Sequence, residues 1–145
     1  MDIQNMQEKQ LKCVMVIDEE LPLGMIANTA GIMGITLGKH FPEIVGDTVK
    51  DSIGNNHLGI TKLPVPILKS TKETLQGIRC KLYQEDFQDL LVVDFSDVAQ
   101  QCNDYDDYVD KVSYTEQEDI HYLGLAICGD KKKVNKLTGS LPLLR

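Results

Sequence analysis

LKCVMVIDEELPLGMIANTAGIMG, at residues 11–34, carries the clearest structural signal in the chain. Its first seven residues form a nearly continuous apolar run, which is typical of a strand buried on both faces of a sheet. Pro22 suits the first turn of a helix, because the N–H that proline lacks has no intrahelical partner there. The stretch therefore predicts a buried strand that passes through an acidic corner into a helix ending near His40.

The predicted helix is apolar or small on nearly every side, so we expect it to be buried. It contains Gly31, Gly34 and Gly38, and a glycine inside a helix costs roughly 1 kcal/mol relative to alanine. We expect close approach to a neighbouring element to offset this cost. Asn28 and Thr29 are polar residues in the most apolar half of the helix. They either bond to backbone groups in the core or lie at the start of a ligand-binding cleft.

The rest of the chain alternates strands with helices. Residues 65–69, 90–95 and 120–128 are short apolar runs that predict strands, and helical patterns separate them. This alternation predicts a single α/β domain over residues 1–145. We expect three layers, α-β-α, around a mixed and mostly parallel sheet.

Capping residues mark the predicted helix starts. Ser70-x-x-Glu73 is a capping-box signature that opens an amphipathic helix. Ser96 can cap a helix whose apolar face extends to Val109, and Asp130 can cap the last helix.

Residues 41–62 predict a hairpin-like insertion. GNN at residues 54–56 suits a tight turn that needs positive φ. Asp51 and His57 flank this turn, so the hairpin can bring them together as a carboxylate-oriented imidazole, which is able to act as a general base. Both could equally be solvated turn residues.

Composition narrows the classes of function. The net charge of −7 gives no basic field for phosphate binding, so nucleic acid is not an expected partner. The chain has neither a membrane-spanning run nor a signal peptide, which predicts a cytoplasmic protein with a frayed tail at residues 1–10. The four cysteines are scattered, so we expect reduced, buried thiols, no metal and no cofactor. A disulfide between Cys13 and Cys128 is possible only if their strands are neighbours, and it is not expected in a reducing cytosol.

YLGLAICGDKKKVNKLTGSLPLL at residues 122–144, taken with residues 11–34, resembles the type-2 peptidyl-tRNA hydrolases at the two ends of their fold. The resemblance covers most of the chain and implies the fold of that superfamily, with Asp94 at the position of the hydrolases' active-site aspartate. The hydrolases carry lysines where this chain has Leu23 and Met25. Leucine and methionine can neither stabilise an oxyanion nor bind a phosphate, so we expect no peptidyl-tRNA hydrolysis.

LGMIANTAGIMG, DSIGNNHLGI and LPVPIL are similar to another branch of the same superfamily. This branch is the uncharacterised bacterial family called domain of unknown function two thousand. The resemblance implies that Asn28 on the first helix, and Asp51, Gly54 and His57 in the insertion, are positions typical of the family. It implies no known reaction.

The favoured hypothesis is a protein that binds a small polar ligand through Asn28, Thr29 and Asp51. The alternative is a hydrolase in which His57 is the general base and Asp94 orients it or binds water. Asp94 could instead cap the helix that follows it. A third hypothesis is an interaction module that forms a homodimer through its apolar first helix and a sheet edge. Under all three hypotheses we expect no association with a membrane.

Overall fold

The computed structural model describes Gln7 and residues 10–145. As the sequence predicts, β1 (Leu11–Asp18) leads into α1 (Leu23–His40). The later elements are β2 (Val49–Lys50), β3 (Asn56–His57), β4 (Ile67–Ser70), α2 (Lys72–Leu82), β5 (Leu91–Ser96), α3 (Asp97–Gln100), α4 (Tyr105–Tyr114), β6 (Tyr122–Asp130) and α5 (Lys131–Thr138). The tail predicted at residues 1–10 falls almost wholly outside the described residues.

Four strands form the central sheet, in the order β4-β1-β6-β5. β1 runs parallel to β4, whereas β6 runs antiparallel to both of its neighbours, β1 and β5. The sheet is mixed, as predicted, but the prediction of a mostly parallel sheet is wrong. β5 ends and β6 begins at the same edge of the sheet, so the segment between them turns back without a crossover. β6 has the continuous apolar pattern typical of parallel strands because helices cover both of its faces.

Helices cover both faces of the sheet, which confirms the α-β-α layering. On one face Val16 of β1 packs with Leu75 of α2 and Val134 of α5. On the other face Ile17 packs with Met33 of α1. All five side chains are fully buried. The predicted burial of β1 on both faces is therefore confirmed as well.

The helix after β4 begins one residue later than the predicted capping box. Thr71 is the cap, and its Oγ1 accepts a hydrogen bond from the Thr74 N–H at 3.2 Å. Ser70 completes β4 instead, because it is paired with Asp18 of β1 in the sheet.

The single helix predicted after β5 is two helices. Ser96 precedes α3, which is only four residues long, and its side chain makes no capping hydrogen bond. Asp104 then caps α4, where its carboxylate accepts a hydrogen bond from the Asp107 N–H at 2.8 Å. The prediction that Asp130 caps α5 is confirmed, because its carboxylate accepts a hydrogen bond from the Lys133 N–H.

One side of α1 is open, contrary to the expectation of burial all round. Leu23 and Ile35 are 81% and 77% exposed, and a Cβ on Gly31 or Gly38 would meet no atom beyond the helix backbone within 4 Å. The helix forms a single layer on the sheet, so only its inner side is covered. It is the longest helix, yet no helix in the described part of the chain is both long and apolar enough to cross a membrane. The homodimer stays a prediction, and this open side is the surface that it would use.

Cys13 of β1 and Cys128 of β6 are register partners in neighbouring strands. Both are fully buried free thiols. The hydrogen bond with Cys128, together with burial, raises the pKa of Cys13, so this thiol is protonated at neutral pH. Cys80 is also a free thiol, but it is exposed on α2, contrary to the expectation of burial.

Candidate functional site

The adjacent parallel strands β1 and β4 end side by side, and the helices that follow them leave to opposite faces. α1 packs on one face of the sheet and α2 on the other. Such a switch point leaves a crevice at the carboxyl ends of the strands, where open α/β sheets commonly bind ligands. Asp18 and Ser70 are register partners at this edge, and both side chains are buried.

Asp18 is only 3% exposed, and both of its carboxylate oxygens have hydrogen-bond partners. Oδ2 lies 3.2 Å from Nε2 of His121, and Oδ1 accepts a hydrogen bond from the Glu20 N–H at 3.0 Å. An ionised carboxylate can only accept hydrogen bonds, so a neutral His121 imidazole carries its proton on Nε2. Nδ1 then has the lone pair that can accept a proton or a hydrogen bond from a ligand.

The backbone of His121 is fixed by Asp97. The His121 N–H donates to Oδ1 of Asp97 at 3.1 Å, and the Asp97 N–H donates to the His121 carbonyl at 2.9 Å. These two bonds connect the residue before β6 to the residue after β5. With its side chain bound to Asp18 and its backbone bound to Asp97, the imidazole is held in one orientation.

A cavity of about 390 Å³ lies beside His121. Its other charged and polar lining residues are Lys72, Glu73, Gln76, Glu118 and Asp119. Oε1 of Gln76 is buried and has no hydrogen-bond partner among the described residues. An unsatisfied buried acceptor costs about 1–3 kcal/mol, so the protein buries this oxygen beside the cavity at a cost to its stability.

Gln117 links the wall of this cavity to the core. Its carbonyl accepts a hydrogen bond from Nε2 of Gln76 at 3.0 Å, and its own Nε2 donates to the Tyr122 hydroxyl at 2.9 Å. Burial raises the pKa of Tyr122 to about 12, so the phenol is neutral at neutral pH. Gln117 and Tyr122 are thus polar, uncharged groups behind the cavity wall.

The hairpin brings Asp51 and His57 together, with Oδ2 of Asp51 2.8 Å from Nε2 of His57. Oδ1 of Asp51 accepts hydrogen bonds at 3.0 Å from the N–H groups of Ile53 and Asn55, and Gly54 supplies a φ of 89°. The bond with His57 is the main cause that lowers the pKa of Asp51. The His57 side chain is 58% exposed, so the Asp51–His57 pair is in contact with solvent. Its structural effect is to stabilise the turn at residues 51–57.

Asp94 is bound by Arg79 of α2, with Nε of Arg79 3.0 Å from Oδ2 of Asp94. The same guanidinium lies over the Tyr83 ring, 4.2 Å from the ring centroid. In the sheet Asp94 is paired with Leu125, whose side chain packs on the α2 side. The partner of Asp94 is therefore a cation on α2 and not His57 of the insertion.

The structure does not gather the predicted residues into one site. Asn28 is exposed on α1, whereas Thr29 is 1% exposed and packs against β6. Asp94 lies on the opposite face of the sheet from α1, and the Asp51–His57 pair belongs to the insertion. Among Asn28, Thr29, Asp51, His57 and Asp94, only the side chains of Asp51 and His57 are joined by a hydrogen bond.

Replacing Thr29 by valine is expected to raise the free energy of unfolding by about 1 kcal/mol. Oγ1 of Thr29 is buried without a hydrogen-bond partner among the described residues, and valine has nearly the same shape without the polar atom. Urea denaturation measures the change. Thr138 is a matched control, because it is equally buried but its Oγ1 donates to the Val134 carbonyl at 2.8 Å. Thr138→Val should destabilise the protein, and equal destabilisation by Thr29→Val would show that the Thr29 hydroxyl is satisfied.

Sequence reasoning missed Asp18, His121 and Arg79. Asp18 is the last residue of the buried strand β1, and Asp94 lies near the end of β5, so the same rule could have singled out Asp18. His121 gives no comparable signal, because its position beside Asp18 depends on the antiparallel direction of β6. Arg79 lies on the amphipathic helix α2 and has no distinguishing pattern around it.

The structure is therefore that of an α/β protein, in which a mixed four-stranded sheet lies between two helical layers and a cavity with polar lining residues lies at the strand ends. The chain belongs to the family described as Protein of unknown function (DUF2000), whose model matches residues 11–145. This confirms the family resemblance in the sequence.

A solved structure with a similar fold is that of a protein of unknown function, Atu0240, from Agrobacterium tumefaciens strain C58. It superposes with a TM-score of 0.83 at 17% identity, covering 92% of this chain and 97% of that chain. At this identity the likeness shows the fold alone. No curated protein matches the chain significantly. The likeness to the peptidyl-tRNA hydrolase fold stays a prediction from the sequence.

Proposed function

We propose that this protein binds a small polar ligand in the cavity at the carboxyl ends of β1 and β4. The observation that carries the proposal is a buried carboxylate, Asp18, that holds the His121 imidazole at the cavity wall. Burying a carboxylate is costly, and an apolar side chain at the same place often gives a more stable protein. Polar groups that a fold buries against its own stability are expected at functional sites.

The cavity is richer in acceptors than in donors. Nδ1 of His121 and the carboxylate of Glu73 can both accept hydrogen bonds from a ligand. Glu118 and Asp119 add two more carboxylates to the lining. Against these acceptors, the lining residues that the structure describes include one lysine, Lys72. The ligand that fits this lining is a small molecule with several N–H or O–H donors.

The class of ligand agrees with the hypothesis from the sequence, but the residues differ. The alternative, a hydrolase that uses His57 with Asp94, has no geometric support, because Asp51 binds His57 and Arg79 binds Asp94. The pair that lies beside a cavity is Asp18 with His121.

The test is an NMR screen of a library of small amines, amino alcohols and amides. Compounds that bind should shift the Gln76 side-chain amide and the backbone amides of residues 118–121. His121→Gln should weaken their binding by about tenfold, because the rigid acceptor Nδ1 is replaced by an amide oxygen on a flexible side chain that does not occupy the same position. Glutamine can still donate to the Asp18 carboxylate, so this variant is expected to fold.

His57→Gln is the matched control, since His57 forms the same kind of pair with Asp51 outside the cavity. It should leave the binding of every hit unchanged. The proposal would be overturned if no compound bound, or if the hits bound His121→Gln as tightly as the unaltered protein.

A further inference from the structure

A second cavity, of about 420 Å³, lies between α1 and the α3–α4 segment. It is on the face of the sheet that α1 covers, whereas the strand-end cavity is on the α2 side. No residue of α4 is fully buried, although the helix carries apolar side chains such as Tyr105 and Val109. α4 thus stands off from α1 and leaves a space of the size that small molecules occupy.

Three aromatic rings line this second cavity. Phe95 comes from β5, and Tyr105 and Tyr108 come from α4. The two tyrosine rings pack edge to face, with their centroids 5.7 Å apart. Aromatic faces carry partial negative charge and attract cations within about 6 Å, most strongly where water is excluded.

The charge around the second cavity is negative. Asp104 lines it and takes part in no ion pair that the described residues form, whereas Asp107 is neutralised by Lys111 at 3.3 Å. None of the described residues in the lining is a lysine, an arginine or a histidine. Burial raises the pKa of Tyr108, and the charge of Asp94 raises it further, so the phenol adds no charge at neutral pH.

We propose that this cavity binds a small organic cation whose charge carries apolar substituents, such as a quaternary ammonium group. The aromatic rings and Ile32 bind the substituents, and Asp104 supplies the opposite charge. A metal ion or a primary ammonium would lose more hydration than these groups can replace. An anion would be repelled by Asp104.

Choline and its neutral carbon isostere, in which a tert-butyl group replaces the trimethylammonium group, test the proposal directly. The two compounds have the same shape and differ in charge. In NMR titrations choline should shift the ring resonances of Tyr105 and Tyr108 and should bind at least about tenfold more tightly than the isostere. Equal binding of the two compounds, or binding of neither, would refute the proposal.

Variants separate the roles of charge and aromatic surface. Asp104→Asn keeps the cap of α4, because asparagine caps a helix as well as aspartate does, and it should weaken the binding of choline several-fold. Tyr105→Leu should do the same, and it is not expected to disturb the fold because Tyr105 is 75% exposed. Asp106→Asn and Tyr114→Leu change the same residue types on the same helix outside the cavity. If these two controls weakened choline binding as much, the attraction would be general and the cavity would not be the site.

Discussion

Replacing Gly124 by valine is expected to lower the free energy of unfolding by about 3 kcal/mol or more. A Cβ on Gly124 would lie 2.7 Å from Cγ2 of Thr29 and 2.9 Å from the Met33 methyl group, both on α1. It would also lie 3.3 Å from the carbonyl oxygen of Val16 in the neighbouring strand. The methyl groups of valine would extend further into this fully buried contact, so α1 must move off the sheet. Urea denaturation gives the change directly.

Gly31→Ala is the matched control, because it adds a methyl group to the open side of α1. A Cβ there meets no atom beyond the helix backbone within 4 Å, and alanine favours the helix by roughly 1 kcal/mol. The control should therefore be more stable than the unaltered protein. If Gly124→Val left stability unchanged, α1 would not pack against β6 as closely as described.

A second measurement identifies the atom that Gly124 makes room for. Thr29→Ser removes Cγ2 and should reduce the cost of Gly124→Ala, whereas the methyl group of Met33 ends a flexible side chain and can turn aside. A double-mutant cycle measures this coupling. We expect the two substitutions together to cost less than the sum of their separate effects.

The close approach of α1 to the sheet could be predicted from sequence only in part. The bounds of α1 follow from local signals, since Pro22 marks its start and the apolar pattern continues to Leu37. The glycines Gly31 and Gly38 also suggest that something approaches the helix closely. The contact instead uses Gly124 on β6, which lies within a continuous apolar run. A glycine has no side chain, so neither its hydrophobicity nor its periodicity shows which backbone comes near it.

The residues of the candidate site could also be predicted from the sequence only in part. Asp18 is the last residue of β1 and Asp94 lies near the carboxyl end of β5, and sequence reasoning selected Asp94 alone. The strand pattern does not show which residues will stand opposite each carboxylate. Asp94 meets Arg79, 15 residues away in the chain, whereas Asp18 meets His121, 103 residues away. Contacts of this sequence separation depend on strand order and direction, which the local pattern leaves open.

Gly59→Ala is expected to open the stem of the insertion, where residues 44–46 are hydrogen-bonded to residues 60–62. A Cβ on Gly59 would overlap the carbonyl group of Gly46 and would lie 2.8 Å from the carbonyl oxygen of Asp47. All of these atoms belong to the backbone, so they cannot turn aside as a side chain could. A hydrogen bond from the Gly46 N–H to the Ile60 carbonyl, at 2.9 Å, holds the stem together. The added methyl group would push its donor and acceptor apart. Hydrogen exchange at the Gly46 amide should accelerate by at least about tenfold.

Gly46→Ala tests the same close approach from the other side of the stem. Its Cβ would lie 3.6 Å from the Ile60 carbonyl oxygen, which is ordinary van der Waals contact. Hydrogen exchange at the backbone amide of residue 46 should therefore stay slow in this variant. Protection of the Gly46 amide in Gly59→Ala equal to that in the unaltered protein would show that the two segments of the stem do not approach so closely.

Gly59→Ala also tests which of the two Asp–His pairs, Asp51–His57 or Asp18–His121, belongs to the ligand site. Asp51 and His57 lie beyond the stem, so opening it should loosen their bond. Asp18 and His121 are held by the sheet and by Asp97, and they should be unaffected. A ligand that binds at the strand ends should therefore bind Gly59→Ala as tightly as the unaltered protein. Loss of that binding would mean that the insertion belongs to the site, as the sequence hypothesis for Asp51 requires.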